Sequence, residues 1–534
     1  MGMAAAHRKA KLVSPAPARV SAERGTNQEI ELKLKLRAQD VAPLRARLNR
    51  LGVARSEHIE SVYYDTADHR LAAAQAALRL RSIGKGRGRR WVQTVKTQDT
   101  ESVLGVRGEW ERPAPGGRID LASLADSPLA DLLGGKPATQ PVAGRALADL
   151  HAVFRTLFDR TAWTLALDSV HVEAVIDLGE IQAQGRSEPI CEAELELLVG
   201  SQEALLDLAL QLAGVAGRHR ADLSLIPYGL SKAARGYRLA LGRGPTAFSA
   251  SFSNAHQLFT PEQRIGVAAR QLVALGMTTM LANAADFVPA ADSELVHQAR
   301  VAMRRMRAGL DLLGAGAQVP PELLRSLRVW AGRFGLVRDW DVLCGEHLPP
   351  LASAATPANA ALWKRLYASA IQRRDAAREV LGHQLQTPAF AEFALRALRW
   401  SATVPTKPGK RLANFARKAV RSRQRRLAAA ARAFAQLAVE RQHKVRIQAK
   451  ALRYGIEMLQ ASLPKRTRRV ALPALSRFQD AAGGANDALI VQAVVQRLTR
   501  SAALRQQVGD WAQAQRAAAI AKAQRLAADL KDQS

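Results

Sequence analysis

Charged and apolar residues alternate strictly along Glu29-Ile30-Glu31-Leu32-Lys33-Leu34-Lys35-Leu36, which predicts an extended strand with Glu29, Glu31, Lys33 and Lys35 on one face. The period-two pattern returns at residues 61–66, 78–81, 91–96, 107–111, 154–167, 170–176 and 191–197, so that about eight strands are expected. Several of these strands set acid beside acid, or base beside base, at every second position, whereas a solvated face scatters its charges and tolerates Ser, Thr or Gln. The repetition therefore predicts strands that converge on a shared interior. Eight antiparallel strands closed into a barrel leave room for one small ligand. Asp40 is placed to cap a short helix carrying Leu44, Leu48 and Leu51, with Gly52 as its stop, and residues 121–150 read as short helices.

Beyond a Gly-, Pro-, Ser- and Ala-rich stretch at 242–254 the apolar period lengthens to that of a helix. Thr260-Pro261-Glu262-Gln263 reads as a helix start, with the helix running to about Ala285, and everything after it reads as helix. An internal duplication lies here. His297, Arg300, Arg304 and Arg307 recur as His443, Arg446, Lys450 and Arg453, in each copy at i, i+3, i+7 and i+10, within one stripe of a helix. Acids follow each copy, Asp339 and Asp341 in one and Asp480 and Asp487 in the other, available to pair with the stripes. The expected fold is thus α+β in two domains. A disordered tail at 1–27 precedes an N-terminal closed antiparallel eight-stranded β-barrel with flanking helices at 28–242; a linker at 243–257 leads to a C-terminal all-α duplicated helical bundle at 258–530.

Composition adds location and partners. No stretch reaches 18 uncharged apolar residues, and the first residues, with Arg8, Lys9, Lys11, Pro15 and Pro17, lack an apolar run. No membrane association is expected. Cys191 and Cys344 are the only cysteines, which excludes a disulfide framework or a cysteine metal site and fits a cytoplasmic protein. The net charge of +31 is uneven: residues 251–534 hold 44 Lys and Arg against 19 Asp and Glu, or +25, and the rest hold 34 against 28, or +6. The C-terminal half is therefore suited to a polyanion, and the mixed signs of the N-terminal half to a metal and phosphate together. Glutamates crowded on one interior face are reconciled by divalent cations, and Arg and Lys facing them by phosphates. A metal triphosphate satisfies both.

Glu29-Ile-Glu-Leu-Lys33 resembles the ExExK signature of the CYTH superfamily, the triphosphate tunnel metalloenzymes. The resemblance continues in family order through Tyr63-Tyr-Asp-Thr66, Leu78-Arg-Leu-Arg81, Trp91-Val-Gln-Thr-Val-Lys96, Arg107-Gly-Glu-Trp-Glu111, Arg160 with Trp163, Glu188 to Glu196 and Leu230 to Tyr237. It implies metal carboxylates at Glu29, Glu31, Asp177, Glu192 and Glu194, with Mg²⁺ or Mn²⁺ as the ion. It also implies phosphate contacts at Lys33, Arg79, Arg81, Lys96, Arg107 and Arg160, a lysine at the tunnel mouth in Lys232, and a second metal or an oriented water at Glu109 and Glu111. Glu29, Glu31, Lys33, Arg107, Glu109 and Glu111 are the residues placed at the reaction.

Residues 258–530 resemble the CHAD domain, a histidine-containing helical fold found with CYTH domains, which implies binding of inorganic polyphosphate. The ligands implied are His297, Arg300, Arg304, Arg307, His443, Arg446, Lys450 and Arg453, with Arg421, Arg423, Arg425 and Arg426 as further basic candidates. Aromatic residues make up only 5% of the chain, without a stacking array or zinc motif, which disfavours nucleic acid. The combined expectation is a cytoplasmic hydrolase that splits tripolyphosphate into pyrophosphate and phosphate, with long-chain polyphosphate as a partner and polyphosphate granules as a further location. A thiamine triphosphatase or adenylate cyclase of the same fold, and a non-enzymatic granule-binding protein, stay open as alternatives.

Overall fold

The alternation in the first strand is realised as β1 (Gln28–Lys35). The structure, a computed structural model, describes residues 28–98, 104–133, 150–217, 219–251, 258–407 and 409–530. The tail expected at 1–27 lies outside the described residues. The strands that follow are β2 (Ala54–Thr66), β3 (Ala76–Ile83), β4 (Arg90–Gln98), β5 (Leu104–Pro113), β6 (Leu150–Leu167), β7 (Val170–Ala183), β8 (Arg186–Gly200) and β9 (Ile226–Pro227). They form one nine-stranded antiparallel sheet in the order β5-β4-β3-β2-β6-β7-β8-β1-β9, with an additional pairing between β5 and β1. In that ladder Gln28 stands opposite Gly108 and Leu32 opposite Leu104. The ninth strand is too short to show a period in the sequence; it exists because Ile226 pairs with Lys35 and Pro227 with Leu34.

Period two sorts the strand residues between an outer apolar face and an inner charged one. Leu32 and Leu34 of β1 are buried with Leu44 and Leu48 of α1 (Ala38–Asn49), and with Leu205, Leu208 and Leu212 of α4 (Gln202–Leu212), in one apolar cluster. Asp40 does not cap α1. It lies inside the first turn, where Arg37 donates to both its carboxylate oxygens at 2.6 and 2.8 Å and the Ser224 amide donates at 3.3 Å, so it pins the 224 loop to the helix instead. Among the described part of residues 121–150 the only α-helix is the single turn α3 (Leu129–Leu132), a partner in size to α2 (Arg70–Ala73).

The last element of the sheet half is α5 (Lys232–Ala240), which packs on β6 and β7. Ser231 caps it by accepting from the Ala234 amide. The helical half begins with α6 (Ile265–Ala285) rather than at Thr260, because Arg264 is held extended by a bridge to Arg411, and the Ile265 amide donates to the Lys410 carbonyl. It continues through α7 (Ser293–Leu313), α8 (Pro321–Val342), a π-helical turn at Leu343–His347, α9 (Leu348–Ser353), α10 (Ala360–Leu385), α11 (Pro388–Ala402), α12 (Leu412–Ala431), α13 (Val439–Met458), α14 (Lys465–Leu498) and α15 (Ala502–Leu526). By length and composition α6 is long and apolar enough to cross a membrane, although Arg270 interrupts its uncharged run, and 72% of its most apolar stretch is buried against its neighbours.

The two halves share their core. The apolar cluster that starts at Leu32 and Leu34 continues through α4 to Phe390 and Leu395 of α11 and to Leu272 and Met277 of α6. The described part of the segment read as a linker docks on that core. Asn283 of α6 brackets Phe248, accepting from its amide at 2.9 Å and donating to its carbonyl at 2.9 Å, and Gln298 of α7 accepts from the Ala250 amide at 2.8 Å.

Candidate functional site

Register places the charged residues of neighbouring strands side by side. Lys33 pairs across the ladder with Glu194, Glu192 with Asp177, and Asp177 with Arg160. On the other strands Arg79 stands opposite Tyr63 and Thr94, Glu111 opposite Thr94, and Glu109 opposite Lys96. These residues occupy one face of the sheet, and the side chains meet there. The Lys33 ammonium lies 2.8 Å from Glu31 and 2.6 Å from Glu194. Arg160 donates to both oxygens of Asp177 at 2.8 and 2.7 Å and reaches Glu194 at 3.2 Å. Lys96 pairs with Glu109 at 2.8 Å, and Arg79 approaches Glu109 at 3.5 Å.

The centre of this face is a carboxylate trio: one oxygen from each of Asp177, Glu192 and Glu194 lies within 4.8 Å of the others. Lys232, delivered by the first turn of α5, contacts all three, at 2.7 Å from Asp177, 3.1 Å from Glu194 and in a close pair with Glu192. Lys232 is therefore buried among acids, because Ser231 starts α5 directly over the trio. Burial alone would raise the carboxyls of Asp177 and Glu194, but the cations outweigh it: Arg160 and Lys232 hold Asp177 below its usual range, and Lys232, Lys33 and Arg160 hold Glu194 well below. Burial, then Arg79 and Arg160, lower Arg81 to about 10. The Nε of Arg79, 8% exposed, is buried without a hydrogen-bond partner, a donor left for an anion.

The second basic cluster is made where α7 packs against α13, the two helices of the duplication. Lys450 faces Arg304, Arg446, Arg300 and Arg453; burial and then these four charges lower its ammonium to about 7. Arg304 and Arg446 each keep a buried Nε without a hydrogen-bond partner. Tyr454 lies under Arg304, Arg305 and Arg453 at 5.6, 5.2 and 4.7 Å. Arg300 is 3.6 Å from Asp339, and His443 Nδ1 is 2.7 Å from the Asn486 side-chain oxygen. Burial, and then Arg338, lower His297. Asp341 does not join the stripe: it is buried and paired with Arg378 of α10 at 2.7 Å. Asp480 is exposed. Arg307 continues the α7 stripe, and one turn further Asp311 pairs with Arg423 at 2.9 Å, while Arg421, Arg425 and Arg426 lie exposed on α12.

A family model for the CYTH domain matches residues 27–236, and one for the CHAD domain matches residues 271–496. The chain carries a CYTH domain followed by a CHAD domain. An inorganic triphosphatase of Haemophilus influenzae is 29% identical over 240 residues, which are 44% of this chain and 61% of that protein. The chain thus spans less than two thirds of that relative. Among solved structures, the CHAD domain of the plant Ricinus communis is 23% identical, covers 54% of this chain and 97% of its own, and gives a TM-score of 0.44. A Hippeastrum protein, described as a putative adenylyl cyclase with a dominant triphosphatase activity, is 20% identical, covers 40% of this chain and 96% of its own, and gives a TM-score of 0.28.

Within the CYTH domain the structure thus brings Glu31, Lys33, Arg79, Arg81, Lys96, Glu109, Glu111, Arg160, Asp177, Glu192, Glu194 and Lys232 onto one face of the sheet and the helix over it. Glu29 and Arg107 are opposite each other in the β1–β5 ladder, and their side chains lie outside the description. Two participants escaped the sequence reading. Arg235 of α5 donates to Glu192 at 2.9 Å and to Glu188 at 2.7 Å, and the Tyr228 hydroxyl donates to Glu192 in a short hydrogen bond. The spacing Lys232-x-x-Arg235, one helical turn, was the available signal for the first; nothing local marks Tyr228. The donor set of the trio is all oxygen and converges on a point already occupied by a positive charge, so it fits a hard divalent cation.

Proposed function

We propose that the protein is a metal-dependent inorganic triphosphatase: the CYTH domain hydrolyses tripolyphosphate to pyrophosphate and phosphate, and the CHAD domain binds long-chain polyphosphate. The carrying observation is the trio of buried Asp177 and Glu192 with half-buried Glu194, set on the same face as Lys33, Arg79, Arg81, Lys96 and Arg160. The β1–β5 ladder supports reading the eight long strands as the wall of a closed tunnel around that face. The Haemophilus relative, by its name, points to the same chemistry.

Asp177, Glu192 and Glu194, with Glu31 beside Lys33, are the residues to hold Mg²⁺ or Mn²⁺, which supplies Lewis-acid neutralisation of a phosphoryl oxygen. Arg79, Arg81 and Lys96 orient the phosphate chain and offset the charge that develops on it. Lys232, which neutralises the trio in this structure, is then available to a phosphoryl oxygen. Glu109 and Glu111, near Lys96 and Thr94, orient the attacking water. The residues use positioning and electrostatics and need no covalent nucleophile.

The test is a panel of tripolyphosphate, ATP, thiamine triphosphate and long polyphosphate under Mg²⁺ and Mn²⁺, with phosphate and cyclic nucleotide as readouts. Tripolyphosphate should turn over fastest; faster thiamine triphosphate hydrolysis, or cyclic nucleotide from ATP, would replace the reading by one of the other two activities. For the CHAD domain, labelled polyphosphate is titrated against the full chain with duplex DNA and single-stranded RNA as competitors. Equal competition by nucleic acid at matched phosphate concentration would make the domain a general polyanion binder.

A further inference from the structure

The helix that delivers Lys232 to the carboxylate trio continues outward as a ladder of ion pairs. One turn on, Arg235 has its whole guanidinium engaged: Nε donates to Glu188 at 2.7 Å, Nη1 to Glu192 at 2.9 Å and Nη2 to the Pro189 carbonyl at 2.5 Å. Another turn on, Arg238 lies 3.7 Å from the same Glu188 oxygen and donates to Asp286 at 2.7 Å. Asp286 belongs to the other domain. It is the residue that ends α6, where the helix dipole is negative and its last carbonyls point at the CYTH domain. Lys35 of β1 donates to one of these, the Ala285 carbonyl, at 3.2 Å.

Side-chain exposure is 14% at Asp286, 22% at Arg238 and 27% at Glu188 on the outer rungs, and drops to 9% at Arg235 and 1% at Glu192 beside the site. The outer pairs are partly screened and contribute little to stability on their own. The inner ones are not, and the orientation of Glu192 depends on where Arg235 is held. Each rung is mounted on a rigid element, α5, β8 or α6, so a displacement at the domain boundary is passed inward instead of being absorbed by a loop.

We propose that the CHAD domain is a working part of the tunnel site: Asp286, through Arg238, Glu188 and Arg235, positions Glu192 for the metal ion. The inference rests on the metal-binding reading above. Asp286 and Arg238 touch neither metal nor substrate in this scheme; they are positioning residues that tie the cation affinity of one domain to the seating of the other.

The experiment titrates Mn²⁺ into the full-length protein by calorimetry without substrate, and records the thermal midpoint of the metal-free protein alongside. Asp286→Asn and Arg238→Gln should each raise the half-saturating Mn²⁺ concentration about three- to tenfold, less than the loss for a group bonded directly to a metal ligand. Asp286→Glu, which keeps the charge, should restore binding to within about twofold. An unchanged Mn²⁺ midpoint in both charge-removing variants, whether or not their thermal midpoint falls, overturns the proposal and leaves the contact as adhesive only. Absence of Mn²⁺ binding by the wild-type protein overturns the metal reading itself and this inference with it, and that outcome is told apart because it appears before any substitution is made.

Discussion

Glu194 meets three cations at once, Lys33 at 2.6 Å, Lys232 at 3.1 Å and Arg160 at 3.2 Å. Replacing it by Gln removes a carboxylate oxygen from the proposed metal site and leaves those cations undercompensated in a buried place. Turnover at saturating Mn²⁺ should fall by about two orders of magnitude, and stability at neutral pH by about 3 kcal/mol. The sign with pH follows from the carboxyl being held well below its ordinary 4.5. Its stabilisation is present above the unfolded value and lost as pH falls through the folded one, so wild type and Glu194→Gln should converge in strong acid. Calorimetric melts of both proteins across pH, with kinetics below the lower midpoint, check this; a constant gap down to the acid limit would contradict it. Lys450 gives the opposite dependence in the CHAD domain. With its ammonium lowered to about 7, it is neutral above that pH and charged below it, and a bound polyanion favours the charged form. Polyphosphate affinity should therefore rise as pH falls from 8 to 6, and Lys450→Met should flatten that rise; equal slopes in the two proteins would exclude Lys450 as its source.

At the scale of elements, α5 is the piece whose placement decides most. It packs so closely on β6 that a Cβ added at Gly236 would stand inside the ring of Phe154. That ring cannot retreat, since it stacks on Tyr63 at 4.4 Å and meets Tyr237 edge-on at 5.1 Å. Gly236→Ala should therefore push α5 off the sheet, lower stability by about 1–3 kcal/mol, and displace Lys232 and Arg235 from the carboxylates together. A chemical denaturation series paired with Mn²⁺ binding tests it. Wild-type values for both would mean that the helix packs more loosely than the geometry requires. The pair α7 and α13 shows the complementary case, where helices of the same pattern meet through their basic stripes, and Tyr454 with Glu457 spaces the arginines: Glu457 lies 2.7 Å from Arg453 and 3.2 Å from Arg305.

For the whole molecule, the decisive fact is that the two domains are not separately enclosed. Apolar residues of α4 continue into α11, and polar contacts rim that junction: Arg399 with Asp207 and Glu203, each at 2.9 Å, and Glu392 accepting from the Ala221 amide at 3.1 Å. Cutting the chain between the domains would bare that shared surface. The intact protein should accordingly melt in a single cooperative transition by scanning calorimetry, and a fragment ending near residue 242 should melt at a lower temperature than the full chain. Two well-resolved transitions, one matching the fragment, would show that the junction adds no cooperativity.

What local sequence determined is which residues share a face. The alternation along Glu29 to Leu36 and Glu188 to Glu196 is a property of consecutive side chains on an extended backbone, and the spacing of His297 to Arg307 and His443 to Arg453 a property of one helix, so both were readable without any partner. Of the carboxylate trio, Glu192 and Glu194 were readable for the same reason, while Asp177 and the grouping of the three came only from the family resemblance. Partnership was not. That β1 lies between β8 and β5, that Lys232 ends on Asp177, Glu192 and Glu194, that Asp341 turns to Arg378 and leaves Asp339 to Arg300, and that the linker docks on Asn283 and Gln298 each depend on groups far apart in the chain. Even Asp40, a cap by its local spacing, was taken over by Arg37 and the distant Ser224 amide. Burial decides such contests: a charge removed from water must be answered by whichever opposite charge or donor the packing brings within reach, and only the folded chain specifies which that is.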